Sequence, residues 1–403
     1  MYDWLQRAAR RRPQCAALEF ADGRALTYAE LLQAAHSRAS FHGQHRGPRY
    51  LEGGDDFAIE LHAALLSGTP AIPLDPRLTS EERALRVVSG DLPYADVATV
   101  MFTSGTTSAP KPVHLTLRNW EASAIGSALA LGLDLNERWL CVMPLAHVGG
   151  LSILMRSTLY GTTVILHERF DTEAVLSELM DPARAVTLVS LVPTMLARLL
   201  DAGLERPPTL RWALLGGAPI PQPLLERADG AGVPVAPTYG MTEGCSQIAT
   251  FGMPLHGVEL RLEDDAEIVV RGPNFAPNTL NREGWLHTGD LGDFDQDGRL
   301  RIIGRSAETI VSGGENIAPA EVEAVLLEHP AIADAGVFAR PDEEWGERVV
   351  ATVVLRAGQR ASPAELQAFV AERLARFKVP KEIGFSDELP RTVSGKLLRR
   401  RLG

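Results

Sequence analysis

The chain of 403 residues is poor in cysteine, has no long apolar run and carries no basic excess. Its three cysteines, Cys15, Cys141 and Cys245, stand far apart with no CxxC pair. That spacing argues against a disulfide framework or a structural zinc site and fits a reducing compartment. The longest apolar stretch, from Leu188 to Leu200, is broken by Pro193 and Arg198. It falls short of the roughly 18–20 apolar residues that a membrane span needs. Lys+Arg 40 against Asp+Glu 51 leaves a net charge of −11, so the basic footprint of a general nucleic-acid binder is missing. A local basic site for an anionic substrate stays compatible with that total. The N-terminal MYDWLQRAARRRPQ lacks an apolar stretch followed by a small-residue cleavage site, so no secretory signal is expected. A soluble, cytoplasmic protein is the expectation, and a homo-oligomer is left open.

Hydrophobic residues at 45% and charged residues at 23% are ordinary globular values, which removes disordered, collagen-like and coiled-coil readings. The first forty residues predict a helix, a hairpin turning at Asp22-Gly23, and a second helix from Thr27 or Tyr28. Thr27 and Glu30 have the spacing of a capping box. Buried strand-like runs then alternate with helical patterns: ATVMFTS, RWLCVMPL, TTVILH, VTLVSLV, LRWALLGG and VPVAPTYG among AVLSELM and PTMLARLLDAG. Such alternation indicates βαβ units and a largely parallel sheet. From about Gly257, short strands (VELRL, EIVVRG, RLRIIGR) between turn signals predict an antiparallel, β-rich appendage. After Arg305 a helix–strand–strand–helix pattern predicts a small α+β lobe. The expected class is therefore α/β: a large domain over residues 1–304 with parallel α/β layers and a β-rich subdomain, plus a small mobile α+β domain over 305–403.

Six segments carry chemistry. In Val100-Met-Phe-Thr-Ser-Gly-Thr-Thr-Ser-Ala-Pro-Lys111, a buried strand runs into hydroxylated residues with a glycine and ends in lysine. Such a loop can set backbone N–H groups and hydroxyls around phosphate oxygens. It is not a Walker A loop, because Pro110 stands where GxxxxGK[ST] needs glycine. A Ser/Thr-rich turn between strands accounts for it equally well. Thr238-Tyr-Gly-Met-Thr-Glu243 offers an aromatic face, a hydroxyl and a hard oxygen ligand suited to magnesium; Glu243 at a helix start is the plainer alternative. Gly216-Gly217-Ala218 after a strand allows a flat ring near the backbone, or simply a tight turn. Gly284-Trp-Leu-His-Thr-Gly-Asp290, with Gly304-Arg305 beyond it, places a carboxylate at a strand end and a guanidinium for ribose or phosphate; a turn aspartate paired to a structural arginine accounts for it equally well. Ser312-Gly-Gly-Glu-Asn, alone most often a loop before a helix start, and Pro390-Arg-Thr-Val-Ser-Gly-Lys396, before a basic tail that is usually a solvated helix end, close the set.

Taken in order, from LTYAELL near the N-terminus to Lys396, the set resembles the adenylate-forming superfamily of acyl-CoA synthetases, carrier-protein adenylation domains and luciferases. The resemblance implies attack of a carboxylate on the α-phosphate of ATP, loss of pyrophosphate, then attack of a thiol, usually that of coenzyme A, on the acyl adenylate. Carried to this chain, Thr103, Ser104, Gly105, Thr106, Thr107 and Lys111 cradle the β- and γ-phosphates. Thr242 contacts the α-phosphate and Glu243 holds Mg2+. Gly216, Gly217, Ala218 and Tyr239 flank adenine, and Asp290 with Arg305 holds ribose. Lys396 bridges carboxylate, α-phosphate and ribose oxygens, and Gly313 and Gly314 lie by the pantetheine arm. His147, in PLAHVGG, stands at the mouth between carboxylate and CoA channel. Arg156, Gly240 and Ser246 belong to the acyl pocket.

The stretches HVGGLSILMR, LYGTTVILHERFD and TYGMTEGCSQI are similar to those of ligases acting on an aromatic acid with a second carboxylate. Arg156 can pair with that charge, or sit in a structural ion pair. Ser108 and Pro112 replace glycines usual in the superfamily's phosphate loop, and Ala307 replaces an Asp or Lys usual at its hinge. The segment between Ser40 and Val100 is short for the superfamily. A carrier-protein-charging enzyme and a catalytically silent nucleotide binder stay open as alternatives.

Overall fold

The computed structural model describes residues 2–42, 47–88, 96–103, 110–312, 315–342, 345–391 and 397–402. Four sheets organise these residues. The largest has nine strands, and its centre is parallel. Ala16–Phe20, Thr163–Leu166, Arg138–Cys141, Leu188–Leu191, Trp212–Leu215 and Val235–Met241 are neighbours in that order. Antiparallel strands finish both edges: Ala25–Thr27 at one, Ser246–Thr250 and Met253–Pro254 at the other. Strands such as TVIL and LVSL are buried at every position. Helices cover both sheet faces, so an unbroken apolar run replaces the alternation of a half-exposed strand.

The expectation of one parallel series needs correction. The strand Val97–Thr103 does not join RWLC and VTLVSLV; it belongs to a separate four-stranded sheet. There it lies parallel to Ala71–Leu74, which is parallel to Arg49–Glu52, and antiparallel to Lys111–Thr116. The short segment between Ser40 and Val100 thus keeps strands and a helix, Phe57–Leu66, of its own. Buried indoles tie a helix to one sheet and join two strands of another. Trp120, in the helix Leu117–Leu131, donates to Thr99 Oγ1 at 3.1 Å, and Trp139 donates to Ser190 Oγ at 3.1 Å. Each buries a large apolar ring while its one donor finds an acceptor.

The β-rich appendage is an antiparallel meander, Glu259–Leu262, Glu267–Arg271, Leu286–Phe294 and Leu300–Arg305. One detail differs from the expectation: Asp290 sits inside the strand Leu286–Phe294 rather than at its end. Gly289 at φ +68° and a register shift between Leu291 and Gly292 bend that strand just there, as a bulge does. Beyond Arg305 a five-stranded sheet forms from Ile310–Ser312, Glu315–Ile317, Ile332–Asp342, Gly346–Leu355 and Glu382–Phe385. The helices Pro319–Glu328 and Pro363–Ala371 complete its core through Val322, Leu326, Leu366 and Val370. Among the described residues no helix is long and apolar enough to cross a membrane.

Candidate active site

The site is built where strand ends meet. Val97–Thr103 and Lys111–Thr116 form a hairpin in which Thr103 pairs directly with Lys111. Ser104, Gly105, Thr106 and Thr107, which follow Thr103 in the sequence, lie outside the described residues, as do Gly313, Gly314 and Lys396. Gly216 follows the strand Trp212–Leu215 and presses on Thr238. A Cβ there would stand 2.7 Å from both Thr238 Cγ2 and Thr238 O. Only glycine lets these two strand ends approach so closely. Gly217 then takes φ +80° and turns the chain, so that Gly217 and Ala218 line one cleft with Tyr239, Gly240, Asp290 and Arg305.

Asp290 and Arg305 pair across the meander, which holds Asp290 Oδ1 2.7 Å from Arg305 Nε. Tyr239 donates its hydroxyl to Asp290 Oδ2 at 2.8 Å from the neighbouring sheet. Burial and the adjacent Asp290 push the Tyr239 phenol well above its ordinary pKa, so it stays a neutral donor. Asp290 is 5% exposed, and its backbone N–H donates to Thr288 Oγ1 at 3.1 Å. A carboxylate fixed beside a guanidinium suits a vicinal diol next to a phosphate.

Thr242 and Glu243 lie in the turn between Val235–Met241 and Ser246–Thr250. No helix begins there, so the helix-start alternative for Glu243 falls. The turn is tight: a Cβ on Gly240 would stand 1.8 Å from Ser246 O, and Cys245 and Ser246 adopt φ of +55° and +90°. It is fastened from outside. Ala276 N donates to Glu243 O at 2.9 Å, Asn274 Nδ2 to Gly244 O at 2.9 Å, and Ser123 Oγ to Cys245 O at 2.7 Å. Burial raises the Glu243 carboxyl pKa, Asp290 adds to that, and Arg305 and Lys111 oppose it. A half-buried acid that is penalised when charged, with no ion pair of its own among the described residues, gains from a hard dication. The residue therefore fits Mg2+.

His147 is the N-cap residue of the helix Val148–Tyr160. A Cβ on Gly150 would meet Pro144 O at 2.5 Å, so glycine seats this helix against the Pro144-Leu145-Ala146 turn. Burial lowers the His147 pKa, with Asp75 and Arg77 acting in opposite senses; the imidazole is neutral at pH 7.

Arg156, on the same helix, is 1% exposed. Its Nη2 donates to Ser123 Oγ at 3.0 Å, while Nε and Nη1 find no acceptor among the described residues. No carboxylate pairs with it among those residues, so the structural ion pair is not what the fold contains. Its charge lies under the turn that carries Glu243, through Ser123 and Cys245 O.

The motifs did not signal Ser123, because a serine inside LRNWEASAIGSALAL reads as an ordinary helix residue. They also passed over the scarcity of lysine. Lysine occurs only at 111, 378, 381 and 396, against 40 Lys+Arg in all, so two of its positions are motif positions. Where arginine supplies charge elsewhere, a retained lysine marks a need for a compact point charge.

Comparison with known proteins agrees with this geometry. The family model described as AMP-binding enzyme matches residues 87–278, and the AMP-binding enzyme C-terminal domain matches residues 321–396. A 2-succinylbenzoate–CoA ligase of Bacillus subtilis is 37% identical over 476 aligned positions, covering 99% of this chain and 97% of the relative. The aligned span exceeds this chain's 403 residues, so the relative carries segments that this chain lacks. The o-succinylbenzoate CoA synthetase of Bacillus subtilis in complex with the acyl-adenylate intermediate OSB-AMP superposes with a TM-score of 0.89 at 36% identity, over 100% of this chain and 98% of the other. The same enzyme in complex with ATP and magnesium ion gives 0.88 at 36% identity over 99% of each. The fold, the converging motifs and these matches along the whole length agree: the chain belongs to the AMP-binding enzyme family.

Proposed function

We propose that the protein is an AMP-forming acid–thiol ligase that converts 2-succinylbenzoate to its CoA thioester, the step that menaquinone biosynthesis requires. It uses ATP, Mg2+ and coenzyme A, with no nucleic-acid or membrane partner, in the cytoplasm. The observation that carries the reaction type is convergence. Gly217, Ala218, Tyr239, Asp290 and Arg305 stand far apart in sequence yet line one cleft, where Asp290 pairs with Arg305 at 2.7 Å.

Tyr239 and the Gly216-Gly217-Ala218 turn flank adenine, while Asp290 and Arg305 take the ribose. Thr103, the 104–107 segment and Lys111 receive the β- and γ-phosphates, and Thr242 the α-phosphate. Mg2+, held by Glu243, neutralises phosphate charge when bound. An oxygen of the succinyl carboxylate forms a bond to the α-phosphorus, and the bond to pyrophosphate breaks. Lys396 supplies positive charge where these two anions meet. The CoA thiolate then attacks the acyl carbonyl near His147, with Gly313 and Gly314 beside the pantetheine arm, and AMP leaves. We divide the chain functionally at residues 304 and 305, so that the smaller lobe brings Lys396 for the first step and withdraws it for the second.

Arg156 carries the choice of acid. A buried guanidinium with two unused donors is penalised until an anion meets it, and the ring carboxylate of 2-succinylbenzoate supplies one. Gly240 and Ser246 belong to the same proposed acyl pocket. The test supplies ATP and CoA with a panel of aryl and alkyl acids. The expected result is AMP and a CoA thioester in equal amounts, fastest with 2-succinylbenzoate. Pyrophosphate exchange without a CoA thioester would instead mark a carrier-protein-charging enzyme.

A further inference from the structure

The flanks of residues 392–396 are built as a braced stem. Arg391 and Leu397 form an isolated antiparallel bridge, and Leu398 N donates to Pro390 O at 2.8 Å. Arg391 pins one flank, its Nη2 donating to Asp334 Oδ1 at 2.6 Å and to Oδ2 at 2.8 Å. Arg399 pins the other with three of its nitrogens. Nη2 donates to Glu323 Oε1 and Oε2 at 2.9 and 2.8 Å, Nε to Val337 O at 3.1 Å, and Nη1 to Glu308 Oε2. Glu323 is 7% exposed, and its Oε1 also accepts from Val337 N at 2.8 Å. Leu397, Leu398 and Arg399 line the same cleft as Asp290 and Arg305.

Glu308 gives this cluster its meaning. It ends the short 3-10 turn Ser306–Glu308, which follows Arg305 directly. Arg305 is fastened to Asp290 in the meander sheet, while Glu308 is fastened through Arg399 to the last helix-covered sheet. Between these two anchors lie only Ser306 and Ala307. Arg399 therefore ties the described residues 397–399 to the chain just after Arg305.

We propose that Arg399, three residues beyond Lys396 in the sequence, is a positioning residue for adenylate formation: by bridging Glu308 and Glu323 it fixes the described residues 397–399 to the chain that leaves the nucleotide-binding Arg305. The assignment rests on the role given to Lys396 above. A charge that must act on a transition state has to be held to a fraction of an ångström, and its support decides that precision. Arginine suits the task because its planar fork reaches several acceptors in fixed directions, which an ammonium does not. Arg399 also keeps two carboxylates, Glu308 and Glu323, from facing each other in a poorly hydrated place.

The test compares wild type with Arg399→Lys and Glu308→Gln in the full chain, assaying two half-reactions separately. The first is 2-succinylbenzoate-dependent pyrophosphate release; the second is thioester formation from preformed 2-succinylbenzoyl adenylate and CoA. Arg399→Lys keeps a positive charge between the carboxylates but loses the fork. It is expected to lower kcat of the first half-reaction about tenfold or more, because misplacement of a catalytic group by an ångström is costly. KM for ATP and the acid, and the second half-reaction, should stay within about twofold, since Asp290, Arg305 and Tyr239 are untouched. Glu308→Gln leaves the Glu323 bridge intact and should shift the first half-reaction in the same direction by less, with an unchanged melting curve. If Arg399→Lys fails to fold, Glu308→Gln decides the matter alone. Unchanged adenylation in the folded variants overturns the proposal. An equal fall in both half-reactions also overturns it, because that is what a merely structural role produces. A wild type that releases no pyrophosphate with any acid rejects the underlying reading instead, and the positioning role with it.

Discussion

The proposed nucleotide and acyl sides of the site handle charge in opposite ways. On the nucleotide side, Asp290 is met by Arg305 at 2.7 Å and by the Tyr239 hydroxyl at 2.8 Å, so its charge is compensated before any ligand arrives. On the acyl side, Arg156 lies at 1% exposure with one hydrogen bond to Ser123 and no acid partner among the described residues. Asp290 is thus compensated in the free protein, whereas two nitrogens of Arg156 have no acceptor among the described residues; on the proposed reading ATP exchanges contacts on the first side and an anion completes the second. A preorganised polar site lowers the reorganisation needed at reaction. An uncompensated buried charge gives discrimination, because an acid without the matching anion leaves it unpaired.

The largest effect is expected at Lys396, the residue proposed to supply charge where carboxylate and α-phosphate meet. Lys396→Ala should lower acid-dependent pyrophosphate release by roughly 10²–10³-fold, the loss typical of removing one group that stabilises transition-state charge. Thioester formation from preformed acyl adenylate should be largely spared. Rapid quench of the two half-reactions measures the split, and equal losses in both would show that the lysine serves both halves alike. A smaller effect is expected on the nucleotide side. Asp290→Ala removes the proposed charged hydrogen-bonding partner of ribose, a contact worth roughly 1.5–3 kcal/mol. ATP affinity should therefore weaken about ten- to a hundredfold, as read by calorimetry. Selectivity among acids should not change. An altered preference between acids in this variant would mean that the two halves are not separable.

How much of this arrangement was legible in the sequence depends on whether its cause is local. The hairpin turning at Asp22-Gly23 is present, with Ala16–Phe20 and Ala25–Thr27 as its strands. So is the capping box, in which Glu30 N donates to Thr27 Oγ1 at 3.2 Å and Thr27 N to Glu30 Oε2 at 2.8 Å. Turn chemistry and capping are set within a few residues, and the sequence carries them whole. The separation of VATVMFT from RWLC into different sheets was not legible. Both are short buried apolar runs, and nothing inside such a run names its neighbour; long-range packing does. Asp290 reads as a strand end because glycine and aspartate are depleted in strands, yet the Gly289 bulge keeps it inside one. The polarity of Arg156 in an apolar helix was visible as an oddity, but its lack of an acid partner is a fact of three dimensions.

The smallest effect expected is the most discriminating, and it falls on the acyl side. Arg156→Leu should depress kcat/KM for 2-succinylbenzoate by at least about 1.5 kcal/mol, roughly tenfold, if a charge-assisted contact to the ring carboxylate is lost. The KM for ATP should stay nearly constant, because Asp290, Arg305 and Tyr239 are anchored without reference to Arg156. An analogue lacking the ring carboxylate should lose less, or gain, since wild type leaves its guanidinium unpaired against that acid and leucine does not. Stability separates this account from a structural one. Replacing a buried charge that has no partner by an apolar side chain is often neutral or stabilising. The Ser123 contact to Cys245 O does not need Arg156, because Ser123 is the donor there. The ligand-free variant should therefore melt no lower than wild type. An equal loss for both acids together with a lowered melting midpoint would place Arg156 among the supports of the Glu243 turn, and the acyl half would then be as complete in the free protein as the nucleotide half.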